Sequence, residues 1–337
     1  MTSRPICVLG LGLIGGSLAR AAVAAGRTVW AATASESTAA AAAADGYDVA
    51  PTTEEALVRA QETDALVVLA MPLPSVPGVL RRVHAVAPHC RLTDVVSVKV
   101  AVRDAVERYA PTARYVGGHP MAGTAESGWA AGSPTLFAGA NWVVTVDDSA
   151  EDSPVPGSLP GTLPGSLPGS LPGTDMEVWA DVAELAWDCG ARVVPATAEE
   201  HDAAVARISH LPHLLAAVLA SVAASPELGD LPMTLAAGSF ADATRVADTR
   251  PELVLAMCEG NRPALLASVD DALGRLGAAR GSLASTGGLA ATVNAGHQAR
   301  QLWRAARSAP EVKVARDTPT ARLRELGRSG QLIVGWE

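Results

Sequence analysis

A glycine-rich turn near the amino terminus constrains the fold of this chain more than any other feature. The apolar run Ile6–Leu9 is followed directly by GLGLIG at residues 10–15 and then by a helix-like segment. The pattern G-x-G-x-x-G between a strand and a helix is typical of dinucleotide-binding βαβ units. Gly10 permits the tight turn, Gly12 lets a pyrophosphate approach the backbone, and Gly15 lets the helix pack on the strand. The residues predicted to bind the dinucleotide at this helix amino terminus are Gly10, Gly12, Leu13, Ile14 and Gly15.

Short apolar runs alternate with amphipathic segments over the first 145 residues. The apolar runs predict buried strands, and the amphipathic segments predict helices between them. This alternation indicates an α/β fold, a doubly wound parallel sheet of the Rossmann type. The predicted strands are Ile6–Leu9, Thr28–Ala32, Ala65–Leu69, Arg91–Val95, Arg114–Val116 and Asn141–Val146. The predicted helices are Ile14–Ala25, Glu36–Asp45, Glu54–Ala60, Val76–Val86 and Val100–Tyr109.

A four-residue repeat interrupts this pattern, since residues 156–174 read PGSLPGTLPGSLPGSLPGT. Each period contains proline and glycine, which stop both helices and strands, so we interpret about 151–174 as a flexible surface insertion. A predicted helix at Met176–Asp188 and a predicted strand at Ala191–Val194 follow it. We therefore assign residues 1–197 to one dinucleotide-binding domain.

The rest of the chain predicts a second domain of a different class. Residues 198–304 show a helical, alanine-rich pattern, which indicates an all-helical domain that follows the Rossmann-type sheet. Its apolar faces would be exposed in a monomer, so we expect a homodimer formed through this domain. Residues 305–337 are polar and rich in arginine, and we assign them to a C-terminal tail.

Composition and charge exclude several classes of function. The net charge of −9 argues against a nucleic-acid partner. No uninterrupted apolar run reaches the length of about 18 residues that a membrane span needs, and the amino terminus lacks the pattern of a secretory signal. The four cysteines are scattered, which fits a reducing cytoplasm and disfavours a disulfide framework or a zinc site. We expect a cytoplasmic protein with a small-molecule substrate, without a metal, a nucleic-acid partner or a membrane partner.

The second predicted strand leaves the choice between NAD and NADP open. Strands that bind NAD usually end in an acidic residue that contacts the ribose diol. Here the strand is followed by Thr33-Ala34-Ser35-Glu36, so the carboxylate comes several residues late, and no arginine follows that could bind a 2′-phosphate. Hydroxyl side chains such as Thr33 would tolerate NADP. We expect Thr33 to contact the cofactor, and NAD to be used with weak discrimination against NADP.

His119 is the strongest candidate for a catalytic residue. A nicotinamide-dependent enzyme needs a group that accepts a proton, and histidine titrates near neutrality. His119 follows the predicted strand Arg114–Val116, beyond the edge at which open α/β sheets bind ligands. Pro120 restricts the backbone beside it. We predict a catalytic His119; the alternative is a buried structural histidine.

Six sequence blocks make the chain resemble the prephenate and arogenate dehydrogenases. The resemblance implies an oxidative decarboxylation, in which hydride leaves C4 of the substrate for the nicotinamide, the C4 hydroxyl loses its proton, carbon dioxide departs and the ring becomes aromatic. It also implies a dimer built from the helical domain. The blocks are GLGLIGGS (10–17), TDVVSVK (93–99), GGHPMAGTAESG (117–128), LFAGANWVVT (136–145), ISHLPHLLA (208–216) and SFADATRVA (239–247).

The resemblance also implies roles for single residues. His119 would accept the hydroxyl proton, and Ser97 would orient it near the nicotinamide and contact the cofactor. Arg245 would bind a substrate carboxylate, for which its planar guanidinium is suited, and His213 would line the pocket. From the residues alone, a surface ion pair of Arg245 is an equal alternative. His210 and His213 lack a third metal-ligating neighbour in the sequence, which disfavours a metal site.

Two acidic residues complete the predicted substrate site. Glu126 lies one place later than the corresponding acid of some relatives, which weakens a gating role for it. Asp242 precedes Arg245 by three residues, and its carboxylate would attract the α-amino group of arogenate and repel the pyruvyl carboxylate of prephenate.

Three other functions are alternatives to this reaction. A β-hydroxyacid dehydrogenase needs a lysine from its helical domain, but the chain has no lysine between Lys99 and Lys313. A dehydrogenase of 4-amino-4-deoxyprephenate would use the same motifs and stays open. A sensor that binds NAD without chemistry would have no need for Ser97, His119 and Arg245 together.

Overall fold

The computed structural model describes residues 3–124, 126–147 and 173–337. Nearly all of the predicted Pro/Gly insertion therefore lies outside the described residues. The chain divides into two compact units. The first comprises residues up to 71, residues 75–198 and residues 310–337, and the second comprises residues 72–74 and 199–309.

The first unit contains a five-stranded parallel sheet with the order β2-β1-β3-β4-β5. Its strands β1 and β3 are buried along their whole length, as their unbroken apolar sequences predict. The predicted Rossmann-type fold is thus confirmed, and the predicted boundaries of these elements agree with the structure to within two residues. The strands are β1 (Ile6–Leu9), β2 (Val29–Ala32), β3 (Leu66–Leu69), β4 (Arg91–Asp94) and β5 (Arg114–Tyr115). The helices are α1 (Leu13–Ala24), α2 (Glu36–Ala44), α3 (Thr53–Glu62), α4 (Val76–Val86) and α5 (Val100–Tyr109).

A second five-stranded sheet, which the sequence did not reveal as a separate layer, lies in the same unit. Its order is β6-β7-β8-β10-β9. The helix α6 (Met176–Asp188) packs against both sheets and buries Trp179, Val182 and Leu185. The strands are β6 (Gly118–Pro120), β7 (Asn141–Thr145), β8 (Arg192–Ala196), β9 (Glu311–Val314) and β10 (Leu332–Trp336), and α14 (Thr320–Arg328) connects the last two.

The structure corrects the assignment of residues 305–337 to a separate tail. β10 pairs antiparallel with β8, and β9 pairs parallel with β10, so residues 310–337 complete the second sheet of the first unit. Residues 305–309 belong to the second unit. Its buried side chains are Val314, Leu323, Leu326, Leu332 and Ile333. They are few and separated by arginine, glutamate and glycine, so the average composition of the segment is polar although its inward face is apolar.

The contact between α14 and β8 gives a prediction about stability. A Cβ atom at Gly327 would lie 1.8 Å from the carbonyl oxygen of Pro195. We expect Gly327→Ala to lower the free energy of unfolding by about 1–3 kcal/mol, because the helix must move away from the strand. A Cβ atom at Gly78 in α4 would have no neighbour within 4 Å, so Gly78→Ala is the matched control and should stabilise by up to about 1 kcal/mol. Thermal unfolding of both variants checks this; equal effects would contradict the close contact.

The second unit is helical, as predicted. It contains a π-helical turn at Ala206–His210, which continues directly into the next helix and which the sequence did not predict. The α-helices are α7 (Ala198–Val205), α8 (Leu211–Ala223), α9 (Leu231–Leu235), α10 (Gly238–Thr244), α11 (Pro251–Gly260), α12 (Arg262–Leu283) and α13 (Ala290–Ala306). Short 3-10 turns lie at Pro226–Leu228 and Arg245–Asp248 of this unit, and two more lie at Leu73–Ser75 and, in the first unit, at Trp129–Ala131.

One helical run of the second unit is notably apolar. The run Ala198–Leu228 is long and apolar enough to cross a membrane by length and composition alone, and 11% of its most apolar window is buried. Buried polar residues interrupt it at His201, Asp202 and His210. A helix whose apolar face is covered by another protein chain passes the same test. The prediction that the protein has no membrane partner stays a prediction.

Candidate active site

The glycine turn of the first unit has the shape that a dinucleotide requires. Gly10 has φ +106°, and a Cβ atom there would lie 2.4 Å from the carbonyl oxygen of Ala70. A Cβ atom at Gly15 would lie 2.0 Å from the carbonyl oxygen of Gly10, so only glycine allows α1 to begin this close to β1. Gly12 is exposed, with open space where a side chain would be. The turn therefore leaves a surface that a pyrophosphate can approach.

The amino terminus of α1 is available for a phosphate group. Gly12 occupies the N-cap position without a side-chain hydrogen bond, and the first turn of α1 contains no acidic residue. The first amides of the helix, at Leu13 and Ile14, therefore have neither a capping side chain nor a competing carboxylate. Backbone amides and the helix dipole favour an anion at such a terminus. The residues present thus fit a dinucleotide.

The hydroxyl groups after β2 are engaged in local hydrogen bonds. Ser35 caps α2 by accepting a hydrogen bond from the Thr38 amide at 3.3 Å. Thr33 is half-buried and accepts a long hydrogen bond of 3.5 Å from the Ser35 amide. This geometry places Thr33 at the end of β2, where the ribose of a dinucleotide is recognised, and its role there stays a proposal.

His119 lies on a strand rather than in a loop after one. It belongs to β6 and pairs with Val143 of β7, between the buried residues Gly118 and Pro120. The prediction placed it beyond the carboxyl end of the strand Arg114–Val116, and β6 begins three residues after β5 ends. The imidazole is half-buried. The backbone at His119 is thus restricted by its pairing with β7 and by Pro120, which follows it.

Ser97 lies in the connection from β4 to α5 and is half-buried. Two charged residues flank it, Asp94 and Lys99, and both are completely buried. The Lys99 Nζ contacts the Asp94 carboxylate and donates a hydrogen bond to the carbonyl oxygen of Gly118 at 2.6 Å. In the sequence, Lys99 stands out because lysine is scarce and because it ends the block TDVVSVK. A lysine five residues after an aspartate at a strand end is a signal too weak to have revealed this contact.

In the second unit, the elements that carry His213 and Arg245 pack together. His213 lies on α8, which contacts the 3-10 turn that begins at Arg245. The Nδ1 of His213 lies 2.8 Å from the Ser209 carbonyl oxygen. A carbonyl only accepts hydrogen bonds, so Nδ1 carries the proton, and in the neutral ring Nε2 is left as an acceptor. The structure thus brings these two predicted substrate-binding residues onto neighbouring elements.

The guanidinium of Arg245 is exposed. Among the described residues, it forms no ion pair with Asp242 or Asp248, which was the alternative to substrate binding. Asp242 is exposed on α10, and Glu126 is exposed in the loop after β6. Neither acidic residue has a described contact that would assign it a function, so both assignments stay proposals.

A buried polar cluster supports the turn that leads to His213. Asn261 donates a hydrogen bond to the Asp202 carbonyl oxygen at 2.7 Å, and its Nδ2 lies 3.2 Å from His210 Nδ1. Nδ1 of His201 lies 2.7 Å from the Asp202 carboxylate. Burial lowers the pKa of His210 to about 4, so this ring is neutral at physiological pH. In the part of the chain that the structure describes, no group of three or more metal-ligating side chains is gathered.

Comparison with known proteins gives consistent matches over both units. A family model described as "Prephenate dehydrogenase, nucleotide-binding domain" matches residues 18–155, and one described as "Prephenate dehydrogenase, dimerization domain" matches residues 197–286. Prephenate dehydrogenase of Bacillus subtilis is 30% identical over 272 residues, which cover 79% of this chain and 66% of that protein. Cyclohexadienyl dehydrogenase of Zymomonas mobilis is 30% identical over 289 residues, which cover 84% of this chain and 89% of that protein.

Solved structures agree with these matches. A Corynebacterium glutamicum protein assigned as a prephenate dehydrogenase is 41% identical, with a TM-score of 0.87, and all of both chains is covered. Prephenate dehydrogenase of Aquifex aeolicus in complex with hydroxyphenyl propionate and NAD+ is 21% identical, with a TM-score of 0.69, and 84% of this chain and 92% of that chain are covered. Because the Aquifex aeolicus protein is only 21% identical, its similarity shows the fold alone.

Proposed function

Because the chain belongs to the prephenate dehydrogenase family, we propose that it catalyses the NAD-dependent oxidative decarboxylation of prephenate, arogenate or both. One observation in the first unit supports the proposal most directly. An uncapped glycine turn that fits a dinucleotide and a half-buried imidazole fixed on a strand belong to one compact unit. A protein that only binds NAD would need the turn and not the imidazole.

The reaction requires one proton acceptor from the protein. When bound, NAD supplies a nicotinamide that accepts the hydride from C4 of the substrate. His119 accepts the proton of the C4 hydroxyl, and the C1 carboxylate departs as carbon dioxide while the ring becomes aromatic. An imidazole accepts a proton only when it is neutral. Activity should therefore fall when the pH is lowered far enough to protonate His119. Aromatisation drives the reaction, and the protein contributes mainly orientation.

The second unit contributes the groups proposed to bind the substrate. Arg245 presents a guanidinium that stays charged at any working pH and matches a carboxylate with two parallel hydrogen bonds. His213 has its Nδ1 bonded to the Ser209 carbonyl oxygen, which leaves Nε2 to face a ligand. These roles are consistent with the exposed position of Arg245 and with the contact between its turn and α8.

Asp242 provides the proposed basis for choosing between substrates. Its exposed carboxylate on α10 would attract the ammonium group of arogenate and repel the second carboxylate of prephenate. We expect Asp242→Asn to shift the ratio of kcat/KM for arogenate to that for prephenate by up to about fivefold toward prephenate, as expected for an exposed charge pair. Steady-state rates with both substrates check this. An unchanged ratio would reject the role of Asp242.

We also propose a homodimer formed through the second unit, in the cytoplasm. Apolar side chains are exposed along α8 and α12, among them Leu219, Val222, Leu273 and Leu276. Light scattering at micromolar concentration should give twice the mass of the chain. The matched pair of variants is Val222→Glu on this face and Val58→Glu on α3 of the first unit, where Val58 is 47% exposed. The first should produce monomers and the second should not; a monomeric parent protein would contradict the proposal.

The experiment that tests the proposed activity is a panel of substrates and cofactors. Prephenate, arogenate and the 4-amino analogue are each mixed with NAD and with NADP, and the absorbance of reduced nicotinamide is followed. We expect turnover with prephenate or arogenate and NAD, and weaker discrimination against NADP than an acidic residue at the end of β2 would impose. Turnover with the amino analogue alone would assign the chain to that reaction instead. Binding of NAD without turnover of any of the three would favour a sensor.

A further inference from the structure

We propose that Asp94, Lys99 and Tyr115 are positioning residues that fix Ser97 and His119 relative to each other through one buried anchor. The inference rests on the proposed function, which assigns Ser97 and His119 their roles in the reaction. All of its contacts lie within the first unit.

The anchor is centred on the Asp94 carboxylate at the end of β4. It contacts the Nζ of Lys99, accepts a hydrogen bond from the Val96 amide at 2.8 Å and accepts one from the Tyr115 hydroxyl at 2.6 Å. Both side chains of the ion pair are 0% exposed. Three donors therefore converge on one carboxylate without access to solvent.

The first consequence concerns the segment that contains Ser97. Asp94 precedes Ser97 by three residues and Lys99 follows it by two, so the ion pair joins the two ends of this short connection. The Val96 amide bonds to the same carboxylate within the connection. The backbone around Ser97 is thus fixed from both sides before α5 begins.

The second consequence concerns the strand that contains His119. Lys99 donates a hydrogen bond to the carbonyl oxygen of Gly118, the residue directly before His119. A Cβ atom at Gly118 would lie 2.7 Å from the Asp94 carbonyl oxygen, so β6 approaches the end of β4 closely. One ammonium group therefore connects the Ser97 segment to the His119 strand.

Tyr115 completes the anchor from β5. Burial and the negative charge of Asp94 raise the pKa of Tyr115 well above its usual value, so the hydroxyl remains a hydrogen-bond donor at physiological pH. Tyr115 precedes Gly118 by three residues along the chain, so the same carboxylate also fixes the start of the connection from β5 to β6.

The burial of the anchor argues against a direct role of Lys99 in chemistry. A side chain that is completely buried presents no surface to a substrate or a cofactor. The ion pair is also a poor source of stability. The cost of desolvating two charges offsets most of their attraction, and apolar replacements of buried pairs are often neutral or stabilising. What an ion pair adds over an apolar contact is a defined geometry. The position beside two predicted catalytic segments is where such a geometry matters.

The test separates positioning from stability with three variants and a control. Lys99→Met leaves a buried carboxylate without its cation, so it should unfold at lower temperature. The double variant Asp94→Asn/Lys99→Met removes both charges and should recover most of the melting temperature. Lys313→Met replaces the only other lysine, which is exposed on β9, and should leave melting and activity unchanged.

We expect kcat of the double variant to stay about 10²-fold below that of the parent protein, with KM and the Kd of NAD within about threefold, because small misplacements of reacting groups have effects of this size. Recovery of kcat together with the melting temperature would overturn the proposal. Tyr115→Phe keeps the charge pair and removes one hydrogen bond, so it serves if the charge variants do not fold. A reduction of kcat by about fivefold without a change of KM is expected there, and an unchanged kcat would overturn the proposal as well.

A readout that does not depend on turnover distinguishes this inference from the proposed function. The pH dependence of carbethoxylation at His119, followed by peptide mass spectrometry, reports the protonation and access of that imidazole in any folded variant. We expect the profile to differ between the parent protein and the double variant, and to be unchanged by Lys313→Met. Identical profiles in all three proteins would refute the anchor, whereas a parent protein that reacts with no substrate refutes the proposed function alone.

Discussion

His119→Asn is expected to lower kcat by about 10²–10⁴-fold while the Kd of NAD stays within about twofold. The substitution removes the proton acceptor and keeps a polar side chain of similar size on β6. The pairing of β6 with β7 uses backbone groups, so the strand should remain in place. The glycine turn that is proposed to bind the dinucleotide is formed by other residues.

Stopped-flow measurement of the first turnover is the decisive assay for this variant, because it isolates hydride transfer from product release. His89 lies between α4 and β4 and is the matched control, since His89→Asn removes another imidazole of the same unit outside the proposed site. It should leave the first turnover unchanged. A His119→Asn enzyme with the rate of the parent protein would remove His119 from the mechanism.

Arg245→Met is expected to lower kcat/KM by about 10–10³-fold, mainly through KM, because a charged, bidentate contact with a substrate carboxylate is lost. Arg245 is exposed and belongs to a short 3-10 turn, so its removal should leave the melting temperature within about 2 °C, as is usual for surface substitutions. Lysine at this position would restore the charge but not the planar fork, so Arg245→Lys should recover only part of the loss.

The control for this prediction is Arg275→Met. Arg275 is exposed on α12 and pairs with Asp271 four residues earlier. The Arg275→Met substitution removes the same charge from the same unit as Arg245→Met does, and we expect it to leave kcat/KM unchanged. If both variants behaved alike, the effect at Arg245 would reflect the net charge of the unit rather than a carboxylate contact.

The sequence predicted those parts of the fold whose signals are local. The strands β1 to β3 are continuous apolar runs, and the turn at Gly10 to Gly15 has a required backbone shape, so the sequence predicts both with near-correct boundaries. β6 was missed because it spans only Gly118–Pro120, too short for any periodic pattern. The segment from β9 to β10 predicts a polar tail, because its apolar residues are diluted by arginine, glutamate and glycine.

In the candidate site, too, the residues with local sequence signals were predictable and the contacts between distant segments were not. His119, Ser97, His213 and Arg245 were identified from motifs, and the structure shows where each lies. The anchor of Asp94, Lys99 and Tyr115 could not be predicted, because it depends on contacts between β4, β5 and β6 that no single segment specifies. The π-helical turn before His213 ends at His210, which contacts Asn261 in a distant part of the chain, and no local pattern indicates it.

The central claim is that this chain transfers a hydride from C4 of a cyclohexadienyl substrate to NAD as carbon dioxide leaves. The most direct measurement uses prephenate or arogenate deuterated at C4, with reduced nicotinamide and carbon dioxide determined in the same sample. The account predicts equal amounts of both products, and deuterium at C4 of the nicotinamide ring. Carbon dioxide released without reduced nicotinamide, or reduced nicotinamide without deuterium, would contradict it.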